Sequence, residues 1–208
     1  MSTLSKGGLV LTAAHPGVSP VPLVDGDDVS WMPRVIAGDN QGNHNACALF
    51  AMASWAETMT GTAISDFDVL AVYMETIERL SLPANSGLLF KQAFDAAQFA
   101  GWIPGNKGLV AVRDLASLKD APILAGYAVT GAWNHASTQG CLDHAPALTA
   151  VDGYHAVLIV GKGKISTLDG GPWVWVENSW GWQWGWNGTG VMSDQLHRKL
   201  CRELWAIV

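Results

Sequence analysis

The stretch Gln41-Gly42-Asn43-His44-Asn45-Ala46-Cys47-Ala48-Leu49-Phe50-Ala51 decides how the chain is read. It passes from a polar, Gly-containing loop into a run of helix formers that reaches Thr60, with Gly61 as a natural terminator. Leu49, Phe50, Met52, Ala53 and Ala56 cover more than one face, which predicts a helix buried at the centre of the fold. Cys47 opens that helix. The positive end of a helix favours a thiolate over a thiol, and the thiolate is the form that attacks carbonyls. A buried structural cysteine is the competing reading of this residue taken alone.

Working outward, Ser65 caps a second helix that runs to about Leu80, with Asp66 and Asp68 in its first turn and Pro83 beyond its end. Ser86 is expected to cap a third helix, Gly87 to Ala100, in which Leu89, Ala93, Phe94 and Ala97 recur at helical spacing. After Pro122 the pattern changes. Ile123–Val129, Tyr154–Lys162, Trp173–Glu177, Gly190–Ser193 and Glu203–Val208 are short, β-branched or aromatic, and separated by Gly-rich turns, as antiparallel strands are. The first 30 residues, rich in Gly, Pro and Asp, hold at most a short strand near Leu9–Thr12 and an extended arm. A helical front half and a β back half make an α+β fold: one domain over residues 1–208, with lobes of about 38–120 and 121–208 and an arm over 1–37. A cleft between the lobes is where residues from both halves can meet.

Three residues give that cleft chemistry. His155 begins the apolar run Ala156–Val160, and a histidine at a strand end can keep one ring nitrogen free to act as a base. Asn178, at the end of Trp173–Glu177, can hold the other ring nitrogen and so fix the tautomer. Gln41 lies six residues before Cys47; its side-chain amide and the Cys47 N–H can converge on one oxyanion. A packed core histidine and a turn asparagine are the plainer readings of two of these; the four together form an acyl-transfer set.

Composition narrows the partners. Charged residues make up 14% of the 208, well under the roughly 25% of ordinary soluble proteins, while hydrophobic residues reach 49% and Trp occurs eleven times. The apolar balance suggests a protein partner on an apolar surface. A net charge of −6 with scattered Lys and Arg argues against nucleic acid. No segment reads as a membrane span, since Ala121 to Leu142 is interrupted by Pro122, Asn134, His135 and Gln139. Gly8–Ala14 is apolar but is followed by Pro16, Pro20 and Pro22, so no signal peptide is expected. Three cysteines are too few for a disulfide framework; unpaired Cys141 and Cys201 would suit the cytoplasm or another reducing compartment. His135, Cys141, Asp143 and His144 match no standard zinc spacing, so no metal and no cofactor are expected, and that segment reads as a loop overhanging the cleft. The sequon at Asn187 carries no weight without secretion.

These motifs resemble the papain-like cysteine peptidases. Gln41-Gly42-x4-Cys47 is similar to the family's nucleophile loop, Tyr154-His155-Ala156-Val157-Leu158-Ile159-Val160-Gly161 to its histidine strand, and Asn178-Ser179-Trp180-Gly181-x2-Trp184-Gly185 to its asparagine signature. Pro83-Ala84-Asn85-Ser86-Gly87 loosely resembles the segment that lines the family's substrate cleft. The resemblance, over Val29 to Val208, implies a two-lobe fold with a central nucleophile helix and a β-barrel-like second lobe. It implies a thiol peptidase acting on peptide or protein substrates. Cys47 would be the nucleophile, His155 the base and acid, Asn178 its orienter and Gln41 the oxyanion donor; Trp180 would shield the His155–Asn178 contact and Gly87 would meet the substrate backbone. The chain departs from the family at His44-Asn45-Ala46-Cys47-Ala48, where the loop disulfide and the Trp after the nucleophile are missing. Two other functions share these motifs: a non-catalytic scaffold that binds a partner, and a cysteine amidase or acyltransferase acting on cell-wall peptides.

Overall fold

Gly61 ends the first helix as expected, at a left-handed φ of 72° with its N–H bonded to the Glu57 carbonyl. The structure, a computed structural model, describes residues 28–36, 38–131, 133, 134, 136, 140–143, 150–163 and 172–208. Helix α1 spans Cys47–Thr60 and is buried from Cys47 to Thr58, in keeping with its lack of a polar face. Helix α2 spans Asp66–Arg79, with the Ser65 side chain accepting from the Asp68 N–H. Helix α3 spans Phe90–Phe99 and starts three residues later than the spacing predicts. Ser86 does not cap it. The Ser86 carbonyl is held instead by the Tyr73 hydroxyl at 2.8 Å, and the chain stays extended to Leu89, whose N–H is taken by the Gln92 side chain at 2.9 Å.

Seven strands follow or interleave: β1 Val29–Ser30, β2 Leu109–Val112, β3 Ile123–Val129, β4 Gly153–Gly163, β5 Trp173–Glu177, β6 Thr189–Ser193 and β7 Cys201–Ile207. They form one antiparallel sheet in the order β2-β7-β3-β4-β5-β6, with β1 pairing the far end of β4 beyond the point where β3 stops. Helix α4, Asp194–Leu200, joins β6 to β7 and is capped by Ser193, which accepts from the Leu196 N–H. β1, β2 and α4 are too short to show a period in sequence. The expected strand near Leu9–Thr12, and His135 and His144 of the expected cleft loop, lie outside the described residues.

Both faces of the sheet are buried. Leu124, Ala156, Leu158 and Val160 face α1, α2 and α3; Ile123, Ala125, Val157, Ile159, Val174 and Val176 face a second core with Trp133, Trp180 and Trp184. Period-2 alternation along β4 therefore feeds two cores from one strand, which is why it reads as a continuous apolar run.

The chain after β5 is folded back on itself. Gly188 O accepts from Asn178 N at 2.8 Å, and Gly188 N is bonded to Trp184 O at 2.8 Å. Gly185 makes this possible: its φ is 57°, and a Cβ there would stand 2.0 Å from the Thr189 carbonyl oxygen. Gly61 has the same sign of φ with open space around it. Gly61→Ala is therefore expected to cost about 1–2 kcal/mol, the backbone term alone, and Gly185→Ala at least about 3 kcal/mol. Chemical denaturation of the two variants measures the difference; equal losses would show that the Thr189 contact is not limiting.

Candidate active site

Helix α1 lies on β4, and its first residue is brought against the start of that strand. Cys47 is fully buried, and its Sγ accepts from the Ala156 N–H at 3.4 Å. The sulfur is thus seated one residue from His155. Being first in the helix, the Cys47 N–H has no acceptor within α1, as for any residue of a first turn.

His155 is fully buried, with Nε2 2.7 Å from Asn178 Oδ1. An amide oxygen can only accept, so Nε2 carries the hydrogen and Nδ1 of the neutral ring presents its lone pair. That Nδ1 is buried and has no hydrogen-bond partner. Burial pushes the imidazolium down to about 4, against the opposing pull of the Asn178 bond. Trp180 covers the pair, its ring centroid 4.8 Å from that of His155. Trp133 meets the His155 ring edge-on at 6.0 Å and stacks on Trp184 at 6.1 Å. Trp184 Nε1–H donates to the Trp133 carbonyl at 2.9 Å, which locks this aromatic wall.

Gln41 is buried beside Ser179. Its N–H donates to the Ser179 carbonyl at 3.0 Å, and the Ser179 hydroxyl donates to Gln41 Oε1 at 2.7 Å. One hydrogen of Nε2 goes to the His44 carbonyl at 2.6 Å. An amide nitrogen has two, so one remains for another acceptor. Gly87 is half-buried and follows Asn85, whose side chain is bonded to Asn43 and Asn45; the segment thus runs beside the nucleophile loop. The structure brings Cys47 to the strand of His155, His155 to Asn178 and Trp180, and Gln41 to the residue after Asn178. Sequence reading passed over Ser179, Trp133 and Asn85. Ser179 and Asn85 both lie within motifs of the sequence, but their partners are 138 and 40 residues away.

Three carboxyl groups on the segments of Gln41, Cys47 and Asn178 lie within one another's electrostatic field. Asp39 is two residues before Gln41, Glu57 is on α1, and Glu177 adjoins Asn178. Glu57 and Glu177 are buried; Ser54 Oγ donates to Asp39 Oδ2 at 3.1 Å, and Ile64 N–H to Glu57 Oε1 at 2.5 Å. Glu57 Oε2 has no hydrogen-bond partner, and the hydroxyl nearest the Glu177 carboxyl is that of Ser54, which donates to Asp39. Burial, and then the field of Asp39, hold the Glu177 carboxyl well above its usual range. Burial raises Asp39 to about 7 and Glu57 to about 8, with Asp66 adding to both. Among the described residues no Lys or Arg pairs with them, and no group of three His, Cys, Asp or Glu is arranged to hold a metal. Cys47, Cys141 and Cys201 are all buried free thiols. No helix of the described residues is long and apolar enough to cross a membrane.

A family model of papain family cysteine proteases matches residues 111–203, which takes in His155 and Asn178 and stops short of Gln41 and Cys47. No curated protein matches the sequence. Among solved structures, the chain is similar to xylellain, a cysteine protease from Xylella fastidiosa: 18% identity, 100% of this chain and 98% of that one, TM-score 0.69. It is also similar to the proform of the ragweed pollen allergen Amb a 11, a cysteine protease: 18% identity, 91% and 68% coverage, TM-score 0.63. The bromelain protease of Ananas comosus, solved with the E64 inhibitor, matches at 16% identity over 88% of this chain and 99% of that one, TM-score 0.53. These likenesses bear on the fold, which is papain-like.

The carboxyl cluster gives a pH dependence of known sign. Its members bind protons in the folded chain at pH values where an unfolded carboxyl has lost them. Their stabilising effect is complete below the unfolded value near 4 and is lost as pH rises through about 7 and 8. Glu57→Gln keeps the acceptor for Ile64 and removes one titration. It is expected to match the parent's unfolding free energy at pH 4.5 and to exceed it at pH 9 by about 2 kcal/mol. Unfolding curves at the two pH values decide the matter; a constant difference would separate Glu57 from the pH response.

Proposed function

We propose that this chain is a papain-like cysteine peptidase, a reading its match over residues 111–203 and its fold support, and that it hydrolyses peptide bonds through a covalent acyl-enzyme on Cys47. The observation that carries the reading is His155: Nε2 tied to Asn178, Nδ1 buried and unpartnered, and the Cys47 sulfur against the next residue of the strand.

In the first step the Cys47 thiol proton passes to His155 Nδ1 and the sulfur attacks the substrate carbonyl carbon. The new oxyanion takes a hydrogen bond from the Cys47 N–H and one from the second hydrogen of Gln41 Nε2. Collapse of the tetrahedral intermediate breaks the C–N bond, and Nδ1 gives its proton to the leaving amine. Water then attacks the thioester, Nδ1 takes its proton, and the thiol is regenerated as the carboxylic product leaves. Asn178 Oδ1 accepts from Nε2–H throughout, so the ring keeps one orientation while its other nitrogen cycles. The wall of Trp180, Trp133 and Trp184 keeps water from that hydrogen bond and lowers the local dielectric, which strengthens it. Gly87 lets the substrate backbone approach, since no side chain stands in the way.

A buried imidazole is hard to charge alone, and burial moves its value down to about 4. A thiolate beside it reverses that cost by pairing with the imidazolium, so the ion pair forms and is lost together. Cys47→Ala is expected to abolish cleavage of a fluorogenic peptide amide. Gln41→Ala is expected to lower kcat by about 10²–10³, the size typical of one oxyanion donor. The pH–rate profile is expected to be bell-shaped. A Gln41→Ala variant as fast as the parent would remove Gln41 from the oxyanion site; an active Cys47→Ala would end the covalent reading.

A further inference from the structure

We infer that Asn85 is a positioning residue for the nucleophile: its side chain clamps the loop that precedes Cys47 to the segment that carries Gly87. This rests on the reading of Cys47 as nucleophile.

Three hydrogen bonds join residue 85 to residues 43–45. Asn85 Oδ1 accepts from the Asn45 N–H at 2.7 Å, the Asn45 side-chain amide donates to the Asn85 carbonyl at 2.8 Å, and Asn85 Nδ2 donates to the Asn43 carbonyl at 3.2 Å. They span 40 to 42 residues of chain and end two residues before the sulfur. The side chain thus reads the Asn43 carbonyl and the Asn45 N–H together, which only a group with a donor and an acceptor side by side can do.

Backbone conformation points the same way. Asn85 has φ 59°, the left-handed region that asparagine tolerates better than most residues with a side chain. The turn is fixed from the other side by the Tyr73 hydroxyl on α2, which donates to the Ser86 carbonyl. The clamp therefore refers the loop to a rigid helix. The three cysteines are free thiols, so within this chain no disulfide ties the loop down. Loop position reaches the chemistry directly: Asn45 leads through Ala46 to the Cys47 N–H, and His44 O fixes one hydrogen of Gln41 Nε2. Asn85 itself is exposed, and its side chain meets the core only where Oδ1 lies 3.4 Å from the hydroxyl of buried Tyr73, which the Ser86 carbonyl holds more closely, so its replacement leaves the apolar packing intact.

Two substitutions separate the clamp from the turn. Asn85→Gly keeps the left-handed backbone and removes the side-chain bonds to Asn43 and Asn45, together with the longer contact to the Tyr73 hydroxyl. Asn85→Asp keeps the shape; protonated, it still accepts from Asn45 and donates to Asn43, but ionised it faces the Asn43 carbonyl with an oxygen. With the full chain and a fluorogenic peptide amide, Asn85→Gly is expected to lower kcat about tenfold with KM within about twofold. Alkylation of Cys47 by iodoacetamide, which needs no substrate, is expected to slow in step. For Asn85→Asp, the ratio of variant to parent rate is expected to fall about tenfold as pH rises through the carboxylate range. Parental kcat and alkylation rate in Asn85→Gly, or a pH-independent ratio in Asn85→Asp, would overturn the clamp while Cys47→Ala stays inactive. Activity surviving in Cys47→Ala would instead overturn the nucleophile and the clamp with it.

Discussion

Everything at the site depends on the docking of α1 onto β4. The helix is apolar on nearly every side, and β4 offers it Ala156, Leu158 and Val160. Ala156 is the residue that lets the helix start come close, so its N–H reaches the Cys47 sulfur. The intervening positions Val157 and Ile159 serve the second core, and His155 shares their face with the tryptophans. A shift of one residue in β4 would turn His155 towards the helices and Ala156 away from the sulfur. Because both faces are buried, such a shift is costly, and the hydrophobic pattern of the strand fixes the chemistry.

The polar part of the site is held by partners drawn from different segments. Ser179 holds Gln41, Asn178 holds His155, and Asp39, Glu57 and Glu177, on the loop, the helix and the strand, lie within one another's electrostatic field. The segments that bear Gln41, Cys47 and Asn178 therefore each bear a carboxyl group of the cluster, while β4, which bears His155, has none. Protons held by those groups remove a repulsion that would otherwise act between the same three segments. The aromatic wall does the complementary task on the other side, where it excludes water without contributing charge.

Much of this was legible in the sequence, for reasons that can be named. Cys47–Thr60 declares itself by helix formers on all faces and by Gly61, and Ser65 by its acidic first turn. His155, Asn178 and Trp180 lie in runs whose spacing resembles known peptidases, and the structure brings the three together. The third helix was set too early because Ser86 looks like a cap locally, while its carbonyl is in fact claimed by Tyr73 from another helix. Ser179, Trp133 and Asn85 act through contacts formed across long stretches of chain, which no local period encodes. The acidic cluster is hidden for the same reason: Asp39, Glu57 and Glu177 are far apart in sequence, and no local pattern marks them as a group.

The sheet order has a consequence for biosynthesis. Cys47 and the strand residue that reaches its sulfur are separated by over a hundred residues, and Asn178, bonded to the neighbouring His155, comes later still. A ribosome releases α1 long before β4, so the nascent chain carries the Cys47 thiol with neither His155 nor Asn178 beside it. Antiparallel pairing of β5 with β4 is what delivers Asn178 to His155. The four residues of the site are thus brought together only once β5 has been made, and a polypeptide stalled before it holds Cys47 apart from Asn178.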